Sequence, residues 1–246
     1  MKPTIAAFRP DDDRLAEAVS LLESLGTEPV ADPMLAVSPT GAVPRADADY
    51  TVFTSKTGVE LAADADWTPG GSVCAIGEST AGVLRDRGYT VDVVPEEFSS
   101  AGLVAALRGS VDGARVEVAR SDHGSDVLLD GLNAAGAYVH ETVLYELTRP
   151  PESGEAVERA AAGTLDGALF TSSLTVANFL DAAAERGIRE DAIAGLGDAV
   201  VGCIGTPTRE AAEAAGVPVD VVPETADFAA LARAVVDAVD ETDTGA

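Results

Sequence analysis

Val91-Asp92-Val93-Val94-Pro95-Glu96 recurs, residue for residue, as Val219-Asp220-Val221-Val222-Pro223-Glu224, an offset of 128. In the same frame Ile76-Gly77 with Thr80 recurs as Ile204-Gly205 with Thr208, and Leu103 as Leu231. Phe53-Thr54-Ser55 returns as Phe170-Thr171-Ser172 at an offset of 117, and Phe8-Arg9-Pro10-Asp11 is echoed by Ala119-Arg120-Ser121-Asp122 at 111. A six-residue identity in frame with a second motif marks a duplication, and the drifting offset reflects loops of different length.

Around these anchors, short apolar runs alternate with helix-period segments. The runs 4–8, 51–54, 72–76, 91–94, 116–119, 168–171, 199–204 and 217–222 read as strands. They are rich in Val, Ile and Ala with little alternation, as parallel strands covered on both faces are. Helices are expected over 14–25, 56–63, 79–87, 101–107, 126–134, 155–162, 176–186, 208–215 and 228–239. Several stop at a glycine (Gly26, Gly88, Gly136, Gly187, Gly216), a residue that ends helices readily. The repeated βα alternation predicts an α/β fold of two doubly wound, parallel-sheet domains. Segments 28–37 and 137–148 follow equivalent helices, are long and extended, and read as connectors between the domains.

The chain has 246 residues, enough for two small cores, and 46% of them are hydrophobic, so it is globular. There are 42 acidic residues against 16 basic ones, a net charge of −26, and the only lysines are Lys2 and Lys56. Such a surface repels nucleic acid and anionic membrane. Excess Asp and Glu with scarce Lys resembles proteins of a high-salt cytoplasm, where screening makes this self-repulsion tolerable. The apolar stretch near the N-terminus is too short for a signal peptide, and no run of about 18 apolar residues marks a membrane span, so the expected location is cytoplasmic. Residues 240–246 read as a frayed polar tail. Cys74 and Cys203 lie inside apolar strands and read as small buried hydrophobes; His123 and His140 have no ligand spacing. No metal site is expected.

Four segments are candidates for chemistry. Thr54-Ser55 and Thr171-Ser172-Ser173 sit where a strand hands over to a helix, as do Gly77-Glu78-Ser79-Thr80 and Gly205-Thr206-Pro207-Thr208. Helix capping alone accounts for any one of them. Open α/β sheets, however, bind ligands at the carboxyl ends of their strands, where helix N-termini offer free N–H groups and partial positive charge. A protein this acidic needs that device if its ligand is an anion. Two copies of the Gly77 and Gly205 device, facing each other across two lobes, would make a cleft. Arg9 and Arg120 occupy equivalent strand ends and read either as ion-pair partners or as a carboxylate clamp. Lys56, in a chain that otherwise avoids lysine, joins the candidates. There is no Walker motif, dinucleotide fingerprint, Gly-x-Ser-x-Gly elbow, His-x-x-x-His pair or Ser–His–Asp set.

The ordered motifs resemble the uroporphyrinogen-III synthase family, as a haloarchaeal-like member, over nearly the whole chain. The resemblance rests on Arg9-Pro10, Val52-Phe53-Thr54-Ser55-Lys56, Ala75-Ile76-Gly77 with Thr80-Ala81, and Val93-Val94-Pro95-Glu96. It continues through Ala119-Arg120, Val143-Leu144-Tyr145 before Pro150, Phe170-Thr171-Ser172, and Cys203-Ile204-Gly205 with Thr208. One departure is Thr206-Pro207, where the family more often shows Pro then Thr; Thr208 still aligns.

The resemblance implies two interleaved flavodoxin-like lobes joined by a two-stranded connector, here residues 1–35 plus 149–246 and residues 36–148. It implies cyclisation of hydroxymethylbilane with inversion of ring D and loss of water, on the route to haem, sirohaem and cobalamin, without cofactor or metal. Tyr145 is then the candidate acid near the leaving hydroxyl, with Thr208 and Thr80 positioning. Arg9, Thr54, Ser55, Lys56, Gly77, Ser79, Arg120, Thr171, Ser172, Ser173 and Gly205 are the candidate substrate-binding residues. A monomer is expected, with hydroxymethylbilane synthase as a candidate source of substrate. The rival readings are a two-lobed anion- or tetrapyrrole-binding module and a regulatory relative without catalysis.

Overall fold

The computed structural model describes residues 2–10 and 12–244, with backbone alone for 243 and 244. Asp11 of the first echo and residues 245–246 of the expected tail lie outside the described residues. The chain divides into two compact units, Met1–Ala36 with Thr148–Ala246, and Val37–Leu147.

In chain order the first unit opens with β1 (Thr4–Phe8), α1 (Asp13–Ser24) and β2 (Glu28–Ala31). β3 (Ala36–Pro39) leads into the second unit. That unit holds β4 (Tyr50–Phe53), α2 (Lys56–Asp64), β5 (Ser72–Ala75), α3 (Glu78–Asp86), α4 (Ser100–Leu107), β6 (Arg115–Ser121), α5 (Asp126–Ala134) and β7 (Tyr138–Thr148). The first unit resumes with α6 (Glu155–Ala161), β8 (Gly167–Phe170), α7 (Ser173–Glu185), α8 (Arg189–Gly197), β9 (Val200–Cys203), α9 (Thr206–Ala214) and α10 (Phe228–Thr244).

The first sheet has the order β2-β1-β8-β9, parallel throughout, and the second the order β3-β7-β6-β4-β5, parallel from β7 to β5. Both contain the same core order. β6-α5-β7 occupies in the second unit the place of β1-α1-β2 in the first, and β4 and β5 take the places of β8 and β9. The second unit is thus a circular permutation of the first, so the three offsets of the repeat fall on three separate pairs of equivalent strands.

Both faces of each sheet are covered. Along β1, Ala6 and Phe8 enter one core cluster while Ile5 and Ala7 enter another; along β4, Val52 and Phe53 divide the same way. Little polar alternation is therefore left to see in sequence. At the carboxyl ends of β1 and β8, Phe8 and Phe170 stack at 4.6 Å and Phe179 of α7 meets Phe8 edge-on at 5.2 Å. Such pairs add about 0.5–1.5 kcal/mol each beyond their buried area.

Four expectations need correction. Segments 91–94 and 217–222 are single parallel bridges, Cys74↔Val93 and Gly202↔Val221, not strands. In both, an aspartate side chain replaces a backbone partner: the Asp92 and Asp220 carboxylates accept from the Val73 and Val201 N–H groups, each at 2.8 Å. The prolines that follow then end the pairing. Segments 28–37 and 137–148 are not free connectors. β2 is the edge strand beside β1, where Pro29 is tolerated, and β7 pairs with β6 along its first eight residues. α8 was not expected from sequence. Its N-cap is Ile188, without a side-chain cap, and Gly195 lets it press on α6, where a Cβ would fall 1.8 Å from the Ala160 carbonyl oxygen. Residues 240–244 are the last turn of α10 rather than a tail.

Candidate active site

In an open doubly wound sheet the ligand crevice lies where the strand order reverses, outside the carboxyl ends. Those points are β1/β8 in the first unit and β6/β4 in the second. The sequence-predicted residues collect at these ends, and each unit builds its own set.

In the second unit, Ser55 is the N-cap of α2 and its Oγ accepts from the Gly58 N–H at 3.0 Å. Tyr145, on β7 and 6% exposed, donates its phenolic O–H to the same Oγ at 2.9 Å. Lys56 is the first residue of α2 and is exposed. A cation at the positive end of a helix opposes the dipole, so the position suits an anion better than it suits the helix. Next to it, Gly77 caps α3 with no side-chain hydrogen bond. The N–H groups of Glu78 and Ser79 have no acceptor among the described residues. Thr80 at the third position is 3% exposed.

The first unit repeats the arrangement. Thr171 donates its hydroxyl to the Phe8 carbonyl at 2.8 Å, across the switch point. Ser172 caps α7 in a reciprocal capping box with Thr175, and Ser173 donates to the Pro207 carbonyl at 3.1 Å, tying the starts of α7 and α9. Gly205 caps α9 without a side-chain hydrogen bond, and Thr208 is 4% exposed. Pro207 has no N–H, so α9 offers one donor fewer than α3. Capping therefore accounts for Ser55 and Ser172, whereas Gly77 and Gly205 leave their helix starts open.

The equivalent arginines differ. Arg120, 4% exposed, bonds through Nε to Glu141 at 2.5 Å and through Nη1 to the Ser125 carbonyl at 2.7 Å. Its guanidinium is committed within the fold. Arg9 lies over the ring of Phe228, 4.6 Å from its centre.

Sequence reasoning passed over Phe98. It is 64% exposed, and a Cβ at Gly77 would lie 3.1 Å from its Cβ and Cγ, so glycine lets this aromatic side chain rest on the start of α3. The signal was available as a lone aromatic in the polar run Pro95-Glu96-Glu97-Phe98-Ser99-Ser100, with Ala226 at the equivalent place in the other copy.

Two cavities lie at the opposite ends of the sheets. One of about 640 Å³ is lined by Arg45, Asp47, Arg115 and His140 by the starts of β6 and β7. Another of about 750 Å³ opens by the starts of β1, β8 and β9. Neither touches the switch points. Cys74 and Cys203 are buried free thiols, pushed up to about 12 by desolvation, and so stay uncharged. Among the described residues, no group of three or more His, Cys, Asp and Glu could hold a metal ion, and no helix is long and apolar enough to cross a membrane.

Fold and site together define a duplicated, doubly wound α/β protein with open helix starts at the strand ends of each copy. A family model described as uroporphyrinogen-III synthase HemD matches residues 15–233. A relative in Methanothermobacter thermautotrophicus is 33% identical over 237 residues, covering 89% of this chain and 92% of the relative. The uroporphyrinogen-III synthase of Chlorobaculum parvum is 28% identical over 170 residues, 68% of this chain and 66% of that one. The solved structure of a mutant uroporphyrinogen III synthase from Thermus thermophilus superposes with a TM-score of 0.69 at 17% identity, covering 97% of this chain and 99% of that one. This last likeness bears on the fold. The chain belongs to the uroporphyrinogen-III synthase family.

Proposed function

We propose that this protein is the enzyme that cyclises hydroxymethylbilane to uroporphyrinogen III, inverting ring D and expelling water. The observation that carries the reading is the family match across residues 15–233, which takes in the strand ends of the second unit and those of β8 and β9 in the first. The residues there suit the chemistry. Spontaneous closure gives the uninverted isomer, so the enzyme must hold a flexible polyanion in one geometry and assist departure of the hydroxyl.

In this reading, helix starts after Thr54, Gly77, Thr171 and Gly205 hold substrate carboxylates, with Glu78 and Ser79 after the Gly77 cap offering the freest donors. Lys56 and Arg9 add charge. Ser55, Ser172 and Ser173 keep the helix starts in place, and Arg120 acts through the 122–126 loop that it fixes. Tyr145 assists the leaving hydroxyl as a proton donor, already poised on Ser55. Thr80 and Thr208 position the substrate. The reading needs no cofactor or metal. It takes the protein as a monomer in a salt-rich cytoplasm, on charge and composition, supplied by hydroxymethylbilane synthase and serving haem, sirohaem or cobalamin formation.

The test supplies hydroxymethylbilane and separates the uroporphyrin isomers after oxidation. The type III isomer in excess over the enzyme is the expected product. Only the spontaneous type I isomer would refute the proposal and favour a binding module.

A further inference from the structure

The duplication makes Arg9 and Arg120 equivalent, yet their surroundings differ. Arg120 is saturated by Glu141 and the Ser125 carbonyl. Arg9 is half-buried, and its Nε is a buried donor with no acceptor among the described residues. Its guanidinium rests on the Phe228 ring at the start of α10. Beside it opens a cavity of about 230 Å³, walled by Arg9, Arg14, Glu17 and Phe228. Arg14 is taken by Asp12 in a close ion pair, while Asp12 and Glu17 act on Arg9 only through space. Burial, then Arg14, pull the Arg9 pKa down from its ordinary value against the opposing pull of Asp12 and Glu17.

In a chain of 42 acidic residues, a half-buried arginine held by an aromatic ring instead of a carboxylate is conspicuous. The cation–π contact uses the charge of the guanidinium and none of its N–H groups. The edge formed by Nε and one Nη is the fork that takes a carboxylate with two parallel hydrogen bonds. Nε is the donor that lacks an acceptor here.

We infer that Arg9, held over the Phe228 ring, forms a carboxylate subsite in the first unit that takes an acetate or propionate arm of the substrate. Phe228 is its positioning residue. The cavity has room for such an arm and not for a tetrapyrrole. The inference rests on the proposed function and deepens it, since it assigns the carboxylate contact to one copy of the repeat only.

The experiment measures type III isomer formation against hydroxymethylbilane concentration for Arg9→Gln, Arg9→Lys, Phe228→Ala and Phe228→Tyr, with melting temperatures as a fold check. Arg9→Gln is expected to raise KM about tenfold or more, the worth of a charge-assisted hydrogen bond, with kcat little changed. Arg9→Lys should recover only part of this because it lacks the fork. Phe228→Ala should raise KM by a smaller factor, and Phe228→Tyr should restore it. Independently of any variant, the Arg9 Nε–H resonance of the wild-type protein is expected to shift when titrated with a monopyrrole bearing one acetate and one propionate arm. A KM for folded Arg9→Gln within about twofold of wild type, or an unmoved resonance, overturns the subsite. If the wild-type protein forms no type III isomer, the function itself fails and not this inference alone.

Discussion

Ser79→Pro separates backbone binding from side-chain binding more cleanly than any truncation. Ser79 is the second residue of α3, exposed, with an N–H that has no acceptor among the described residues. Its equivalent in the repeat, 128 residues on, is Pro207, the second residue of α9. The caps before them have nearly the same conformation, φ −170° and ψ 172° at Gly77 against φ −171° and ψ 173° at Gly205. One copy of the fold thus already carries proline where the substitution would put it. The first-turn N–H groups of a helix are unpaired in any case, so the cost to folding should stay within about 1 kcal/mol.

Under the proposed function, Ser79→Pro removes one N–H to a substrate carboxylate, worth about 1.5–3 kcal/mol, or a loss of roughly ten- to over a hundredfold in substrate binding. Thr80→Ala is the contrasting change. It deletes a buried methyl and hydroxyl, costing about 1 kcal/mol of stability, while every backbone donor stays, so binding should fall by less than about tenfold. Single-turnover formation of the type III isomer across substrate concentrations, with thermal melts alongside, reads both. Inactive Thr80→Ala beside near-normal Ser79→Pro would refute the reasoning and move the contact to the threonine hydroxyl.

Tyr145→Phe removes the hydroxyl from Ser55 but leaves Gly58 capped; turnover should drop while affinity and melting temperature stay near wild type, which steady-state kinetics and melts will show. Arg120→Gln breaks a buried ion pair whose partner Glu141 is about one third exposed, so a loss of about 2–3 kcal/mol and a melting temperature lower by roughly 5–10 °C are expected. At net charge −26, raising potassium chloride from about 0.01 to 1 M shortens the screening length from roughly 30 to 3 Å, and the melting temperature should rise. Activity should survive exhaustive chelation and dialysis; loss restored by one metal would contradict the reading.

The sequence carried most of the strand ends and little of what lies beyond them. Gly77, Gly205, Ser55 and Ser172 are legible because backbone handover from strand to helix demands particular residues, and duplication printed them twice. α8 was not, because Ile188 is no cap and Gly195 reads as a breaker until Ala160 is seen pressing on it. The 91–94 and 217–222 runs look like strands by composition. What replaces their pairing is a carboxylate reaching a backbone N–H on a neighbouring strand, a contact outside any local pattern. The same limit applies at the arginines: Arg9 and Arg120 align in sequence, and only Phe228 and Glu141, both remote, tell them apart.

Duplication alone would give two similar anion sites, which poses a difficulty for a substrate whose two ends must be treated differently. The copies have diverged at the points that matter. The second unit keeps Ser79 with its N–H, Lys56 at a helix start and Tyr145 on Ser55; the first has Pro207, no lysine at Ser173, and an arginine free of carboxylate partners among the described residues. Strand order and helix starts, which position a ligand, stayed common to both because each core depends on them. Of the groups that differ between the copies, Ser79 and Lys56 are exposed at those starts, where substitution costs the fold little. Under the proposed function, then, the second unit supplies the proton donor and most backbone contacts, and the first supplies the charged anchor. Exchanging Ser79 and Pro207 between the copies should keep the protein folded yet impair turnover. An exchanged variant with wild-type turnover would show that the asymmetry is incidental.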